Sequence, residues 1–244
     1  MSTQVVHFER NFIRTAVCEL RFPTLFEIDK DKPPLSLARS LRKEYPMYEL
    51  QDELNVLAGR PTKSRAHLFT SRKSLWKVSL RSSAISLETS RYDSFPEFRK
   101  RLAFIVEAAK ETIDSDFFTR VGLRYINAIP FNDEDIGTWI NPSLVGVLSD
   151  GAYGRIQECF QRLTGLTPFG GYLFQHGLEQ GESGKTGYIL DYDFYCEEIA
   201  VSNVLDMVDE LHSAEYSMFS RALGDRAKEY LGPSTLQKRE KSNV

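Results

Sequence analysis

Two short stretches hold the side chains most able to do chemistry. In TRVGLRYINAIP, residues 119–130, period two places Arg120, Gly122, Arg124 and Ile126 on one face and Val121, Leu123, Tyr125, Asn127 and Ile129 on the other. In YILDYDFY, residues 188–195, Asp191 and Asp193 share a strand face opposite Tyr188, Leu190, Tyr192 and Phe194. Two carboxylates on one face suit a metal ion or a general acid and base pair. They equally suit the solvent side of an amphipathic strand, where Asp191 or Asp193 would meet Arg120 or Arg124 as cross-strand ion pairs. Arg21, in ELRF, repeats the arginine of GLRY in the first half of the chain. Arg21, Arg120, Arg124, Asn127, Asp191 and Asp193 are therefore the candidate set for binding a partner or an anion. An unpaired buried amide costs about 1–3 kcal/mol, so Asn127, set among apolar residues, is expected to pin the backbone of a neighbouring loop.

A second candidate surface is electrostatic. The net charge of −3 conceals a division: residues 30–81 carry twelve basic and five acidic side chains, a local +7, whereas residues 130–216 carry three basic and fifteen acidic, a local −12. Arg39, Arg42, Lys43, Arg60, Lys63, Arg65, Arg72 and Lys73 make up the candidate basic patch, which would serve a nucleic-acid partner. A sequence pI near 5.9 argues against an uninterrupted phosphate-binding footprint. The same division fits head-to-tail self-association, hence a homo-oligomer, or packing of one half on the other.

Other motifs carry less. GESGKTG, residues 181–187, has Glu179 where a phosphate-binding loop needs its first glycine, and a hairpin turn is the expected structure. The four histidines have no helical i, i+4 spacing to one another, and His212 reads as a core or boundary residue. Cys18, Cys159 and Cys196 show no C-x-x-C spacing and read as buried free thiols. No catalytic residue, metal ligand or cofactor is assigned. No apolar run reaches the roughly 18–20 residues that span a bilayer, and the start lacks a signal-peptide pattern, so no membrane partner and a cytoplasmic location are expected.

The elements that must hold these side chains follow from hydrophobic period. Residues 11–22 read as a strand, 34–45 as a helix, and four strand-like runs follow near 48–57, 66–70, 75–81 and 84–92. Ser94, Pro96 and Glu97 predict a capping box opening a long helix, with Phe98, Leu102, Ile105, Val106, Ala109 and Ile113 on its apolar stripe. The order then restarts: a strand over 117–130, a short helix near 140–148, strands near 153–163, 171–178 and 187–195, and a long helix from Ser202 with Val204, Leu205, Val208, Leu211, Tyr216, Phe219 and Leu223 facing inward. The echoes ELRF to GLRY and ISLETSRY to YILDYDFY, and the two helix starts, recur at offsets of about 103–108 positions, which points to an internal repeat. The expected fold is α+β: two tandem β-α-β(3-4)-α units with long helices packed on antiparallel sheets. Residues 1–224 would form a single compact domain from two repeats, 1–115 and 116–224, with a flexible tail over 225–244.

This order resembles the β-α-β4-α unit of TATA-binding-like and helix-grip folds. The phrases ELRF, GLRYIN and Phe69-Thr70-Ser71 also resemble the motifs of an uncharacterised, sporadically distributed bacterial family of similar length. That resemblance implies a prokaryotic protein carried in variable genomic regions, and brings no established activity. The expected function is accordingly a non-enzymatic cytoplasmic binding or interaction protein with a protein partner, an accessory to a toxin, effector or defence system. The alternatives are a nucleic-acid binder using the basic first half, and an enzyme using Asp191 and Asp193 with an arginine.

Overall fold

The structure, a computed structural model, describes residues 8–57, 60–131, 134–180 and 186–232, without the side chains of 53–63 and 180. Its frame is one antiparallel sheet. The first half supplies β1 (Ile13–Arg21), α1 (Leu35–Leu41), β2 (Met47–Leu57), β3 (Arg60–Thr70), β4 (Trp76–Arg81), β5 (Ala84–Thr89) and α2 (Phe95–Ile113). The second supplies β6 (Phe117–Ile129), α3 (Ile136–Trp139), α4 (Pro142–Ser149), β7 (Phe160–Thr167), β8 (Gly170–Gln180), β9 (Thr186–Ala200), α5 (Val204–Ala222) and α6 (Asp225–Leu231). The nine strands run in the order β2-β3-β4-β5-β1-β6-β9-β8-β7, so the first strand of each half meets the other at the centre. There Leu20 faces Val121, Cys18 faces Leu123, and Leu123 in turn faces Phe194. The α+β class is as expected from hydrophobic period.

Alternation decides which face is covered. Ala16, Cys18 and Leu20 of β1, Val121, Leu123 and Tyr125 of β6, and Leu190, Tyr192 and Phe194 of β9 are buried, in one cluster with Phe98, Leu102 and Ile105 of α2 and Val204, Val208 and Leu211 of α5. Burying each large apolar side chain contributes about 1.5–3 kcal/mol, and the cluster draws on both halves. No described helix is long and apolar enough to cross a membrane.

Four expectations need correction. Ser94 does cap α2 by position, but its side chain makes no capping hydrogen bond; Glu97 instead accepts from Arg101 Nε at 2.7 Å, one turn on, so the expected capping box does not close. The strand expected from 153 begins at Phe160, after a stretch of turns. Cys159 is only partly buried, unlike Cys18 and Cys196. Finally, the segment expected to begin a flexible tail at 225 is helical: α6 buries Ala227 and Leu231, and Tyr230 stacks on Phe12 with ring centroids 5.2 Å apart. The apolar spacing Ala227–Leu231 is too short to register as a period in the sequence, and its partners are long-range. Residues 233–244 of that tail lie outside the described residues. So does 181–185 of the GESGKTG turn, whose flanks pair as a hairpin from Gln180 to Thr186.

Candidate functional site

The six residues singled out in the sequence divide between the two faces of the sheet. On the open face, Arg124 grips Asp191 with both ends of its guanidinium, Nε to Oδ1 at 2.8 Å and Nη2 to Oδ2 at 2.7 Å. Arg120 Nη2 donates to both oxygens of Asp193 at 3.1 and 3.0 Å, and its guanidinium lies 4.6 Å from the centre of the Tyr195 ring. The strand register puts Arg124 opposite Asp193, so each arginine reaches diagonally along β9. Arg120 can do so because Gly122 has no side chain: a Cβ there would collide with the Arg120 guanidinium. Arg21 stands across from Arg120 on β1 and is spent on Glu19, Nε to Oε1 at 2.7 Å. Burial raises the Asp193 carboxyl above its ordinary value despite the pull of Arg120. The hydrogen bond to Asp191 raises Arg124. Four of the six residues thus form two satisfied ion pairs, with no charge left over for an anion.

The basic residues do not converge either. Arg39, Arg42 and Lys43 are exposed on and after α1, and Arg72 and Lys73 are exposed in the turn between β3 and β4. Arg65 on β3 is neutralised by Asp31 at 3.2 Å and Asp52 at 3.6 Å. The side chains of Arg60 and Lys63 lie outside the described residues.

Asn127 belongs to the covered face. Its Nδ2 donates to the carbonyl of Leu190, its neighbour on β9, at 3.3 Å, so the backbone it pins is a strand rather than the loop expected. Asn127 also lines a cavity of about 530 Å³. The walls are the segment 8–13, the segment 92–95 leading into α2, Tyr125 and Asn127 of β6, Tyr192 of β9, and one side of α5 with His212, Glu215, Tyr216 and Phe219. The position follows from topology: β1, β6 and β9 are adjacent at mid-sheet, β1 bulges between Ile13 and Thr15 beside Ile126 and Asn127, and α5 crosses β6 and β9.

Glu215 is the unusual residue. Val204, Val208, Leu211 and Glu215 recur at helical spacing on the buried side of α5, where a leucine would be ordinary, and Glu215 is 1% exposed. Its Oε1 accepts the backbone N–H of Tyr125 at 3.1 Å, while Oε2 has no hydrogen-bond partner among the described residues. Burial pushes its carboxyl well above the usual range; the Tyr125 N–H opposes this, and Asp193 and Asp191 add to it. The Tyr192 hydroxyl is also buried without a partner, and burial raises it too. Tyr125 shares hydrogen bonds with His212 Nδ1 at 3.2 Å and with the Tyr92 hydroxyl at 3.5 Å. His212 stacks on Phe95 with centroids 3.7 Å apart. A concave, aromatic-walled space with a few converging polar groups and a perturbed carboxyl has the character of a ligand site.

Sequence reasoning placed Tyr125 and His212 in or beside the core but missed the cavity, because Tyr216 was read onto the α5 stripe in place of Glu215. The signal was present as the 204-208-211-215 spacing with a carboxylate at its fourth position. Compared with protein-family models and with curated proteins, the chain matches none.

Proposed function

We propose that this chain is a non-enzymatic binding protein whose ligand occupies the cavity under α5, at the junction of its two halves. The observation that carries this reading is the cavity of about 530 Å³ itself, walled by aromatic side chains together with Asn127, His212 and Glu215. The alternative that used Asp191 and Asp193 catalytically loses support, since an arginine holds each. The nucleic-acid alternative is weakened by the scatter of the basic residues.

The same proposal takes the two halves to be duplicated units. Both long helices span nineteen residues, and strands β5-β1 and β6-β9 flank the central seam in mirrored order. The bacterial-family resemblance and the accessory role for a protein partner remain part of it, with a ligand-loaded cavity as what such a partner would sense.

A ligand-observed magnetic resonance screen of small aromatic compounds, run on the wild type and on Ser94→Trp, tests the reading. Ser94 lines the cavity, and a tryptophan there is expected to obstruct it. Hits that bind the wild type and lose binding to Ser94→Trp are expected. Hits indifferent to the substitution would overturn the cavity as the binding seat.

A further inference from the structure

The sheet ends on β7, and no described strand lies beyond it. A row of unpaired N–H and C=O groups readily takes up another strand, so proteins usually blunt an edge with charge, proline or a bulge. The other edge, β2, carries Glu49, Asp52 and Glu53 and no basic residue. β7, FQRLTGLT, has no acidic residue, no lysine and no proline, and it pairs with β8 along its whole length without a shift of register. Phe160, Leu163 and Leu166 are exposed on it, Leu166 at 89%.

Register fixes what this edge offers. The Leu178 N–H donates to the Cys159 carbonyl at 2.9 Å, so the odd-numbered residues of β7 turn their backbone groups to β8, and Phe160, Arg162, Thr164 and Leu166 turn theirs outward. The side chains of those four share the open face with Gln175, whose Nε2 donates to Asp191 at 3.4 Å. Gln161 and Leu163 lie on the helix-covered side with Phe174, where Gln161 Nε2 donates to the Leu144 carbonyl of α4 at 3.2 Å.

We propose that β7 is a dimer interface, pairing antiparallel with β7 of a second copy about a two-fold axis at Leu163. Only registers that set outward residues against outward residues make hydrogen bonds. Centred on Arg162, the pairing would bring two guanidinium groups together; centred on Thr164, it would set Arg162 against Leu166. Centred on Leu163, it sets Phe160 against Leu166 of the second copy and Arg162 against Thr164. The two Leu163 side chains then meet as a non-hydrogen-bonded pair, the closer of the two kinds. Every outward N–H and C=O of Phe160, Arg162, Thr164 and Leu166 gains a partner, and the exposed apolar side chains are covered together. Such isologous pairing closes at two copies, whereas β7 on β2 would continue as an open chain. β7 lends no residue to the cavity, so the dimer and the ligand seat stand or fall separately.

Sedimentation velocity of the full chain from about 1 to about 200 μM, at low and at high salt, tests the interface across the range expected for a contact of this small size. A monomer–dimer equilibrium with no larger species is expected, insensitive to salt because backbone bonds and apolar contacts hold it. Leu163→Lys sets two ammonium groups at the axis and should weaken the dimer by about tenfold or more, and Thr164→Glu, which gives each Arg162 a carboxylate opposite, should tighten it. In a Cys159→Ser background, Leu163→Cys should form an intermolecular disulfide with oxidised glutathione and Gln161→Cys should not, because only position 163 meets itself across the axis. The cross-link gives an answer even if the lysine variant does not fold. A monomer throughout the range would overturn the dimer. Salt-sensitive or open-ended assembly would assign association to the oppositely charged halves of the chain and overturn it as well. A dimer that survives Leu163→Lys unweakened and gives no cross-link at 163 would place the interface elsewhere.

Discussion

Replacing Glu215 with glutamine should flatten the dependence of folding stability on pH. The side chain is 1% exposed, and burial holds its carboxyl well above the ordinary value of 4.5. Above pH 4.5 the unfolded chain loses this proton while the folded protein keeps it, so the native state binds more protons and its stability falls as pH rises. Stability is then lost through this one group, by at most about 1.4 kcal/mol for each pH unit, as pH rises from the unfolded-state value towards the raised folded-state one. Glutamine preserves the shape and keeps an oxygen for the Tyr125 N–H, but it carries no titrating proton. Other ionisable groups occur in both proteins and cancel in the comparison. Urea unfolding of both at pH 5, 6 and 7 measures the difference directly. The variant should gain on the wild type as pH rises across the series, by at most about 1.4 kcal/mol for each unit, against a stability of about 5–15 kcal/mol for an ordinary domain. Parallel stability curves would show that Glu215 is already ionised in the folded protein and would refute this reasoning.

Four further outcomes follow from the outer face, the C-terminal helix and the thiols. Alanine at Arg120, 18% exposed and packed on Tyr195, should cost about 2 kcal/mol in urea unfolding, Arg124→Ala about 1 and Arg21→Ala close to zero, since water reaches the last two at 45% and 53% exposure; equal losses at all three would refute the ranking. Gly122→Ala should cost about 1 kcal/mol by displacing the Arg120 guanidinium, and the double variant with Arg120→Ala should show no added loss from the methyl group; full additivity in a double-mutant cycle would refute this. Leu231→Ala should destabilise by about 2–5 kcal/mol because α6 is packed, and a change below about 0.5 kcal/mol would restore the flexible-tail expectation for residues 225–231. A thiol reagent should modify Cys159 quickly in the native protein and reach Cys18 and Cys196 only on unfolding, since both are buried and burial pushes Cys196 up to about 11; three equal native rates would refute it.

The elements were legible where local pattern carries them. Period two identified β1, β6 and β9, period 3.6 identified α2 and α5, and alternation assigned Arg120 and Arg124 to one face and Tyr125 and Asn127 to the other. Even the meeting of Arg120 and Arg124 with Asp191 and Asp193 could be anticipated, because those residues lie on like faces of strands that had reason to pair. Which arginine takes which aspartate could not, since that depends on register and on the space over Gly122. The cavity was illegible for a related reason. Its walls come from residues about 200 positions apart, Phe8 to Phe219, and its defining residue lies on a stripe that tolerates one polar member without losing its period. Hydrophobic pattern reports which side of a helix is covered, and says nothing of whether the covering is tight.

The outer ion pairs and the inner cavity form one electrostatic unit despite lying on opposite faces. Along β9, Asp191, Tyr192 and Asp193 alternate, so the strand that lends Tyr192 to the cavity presents its carboxylates on the far side of a single sheet layer. Those two carboxylates strengthen the hold of Glu215 on its proton. Arg120 and Arg124 offset them without touching the cavity. Without those carboxylates the carboxyl would be less strongly biased towards its protonated form. The arginines of the LRY phrase and its neighbour hold the sheet together by pairing with the same two carboxylates, so one strand, β9, links the outer ion pairs to the wall of the cavity.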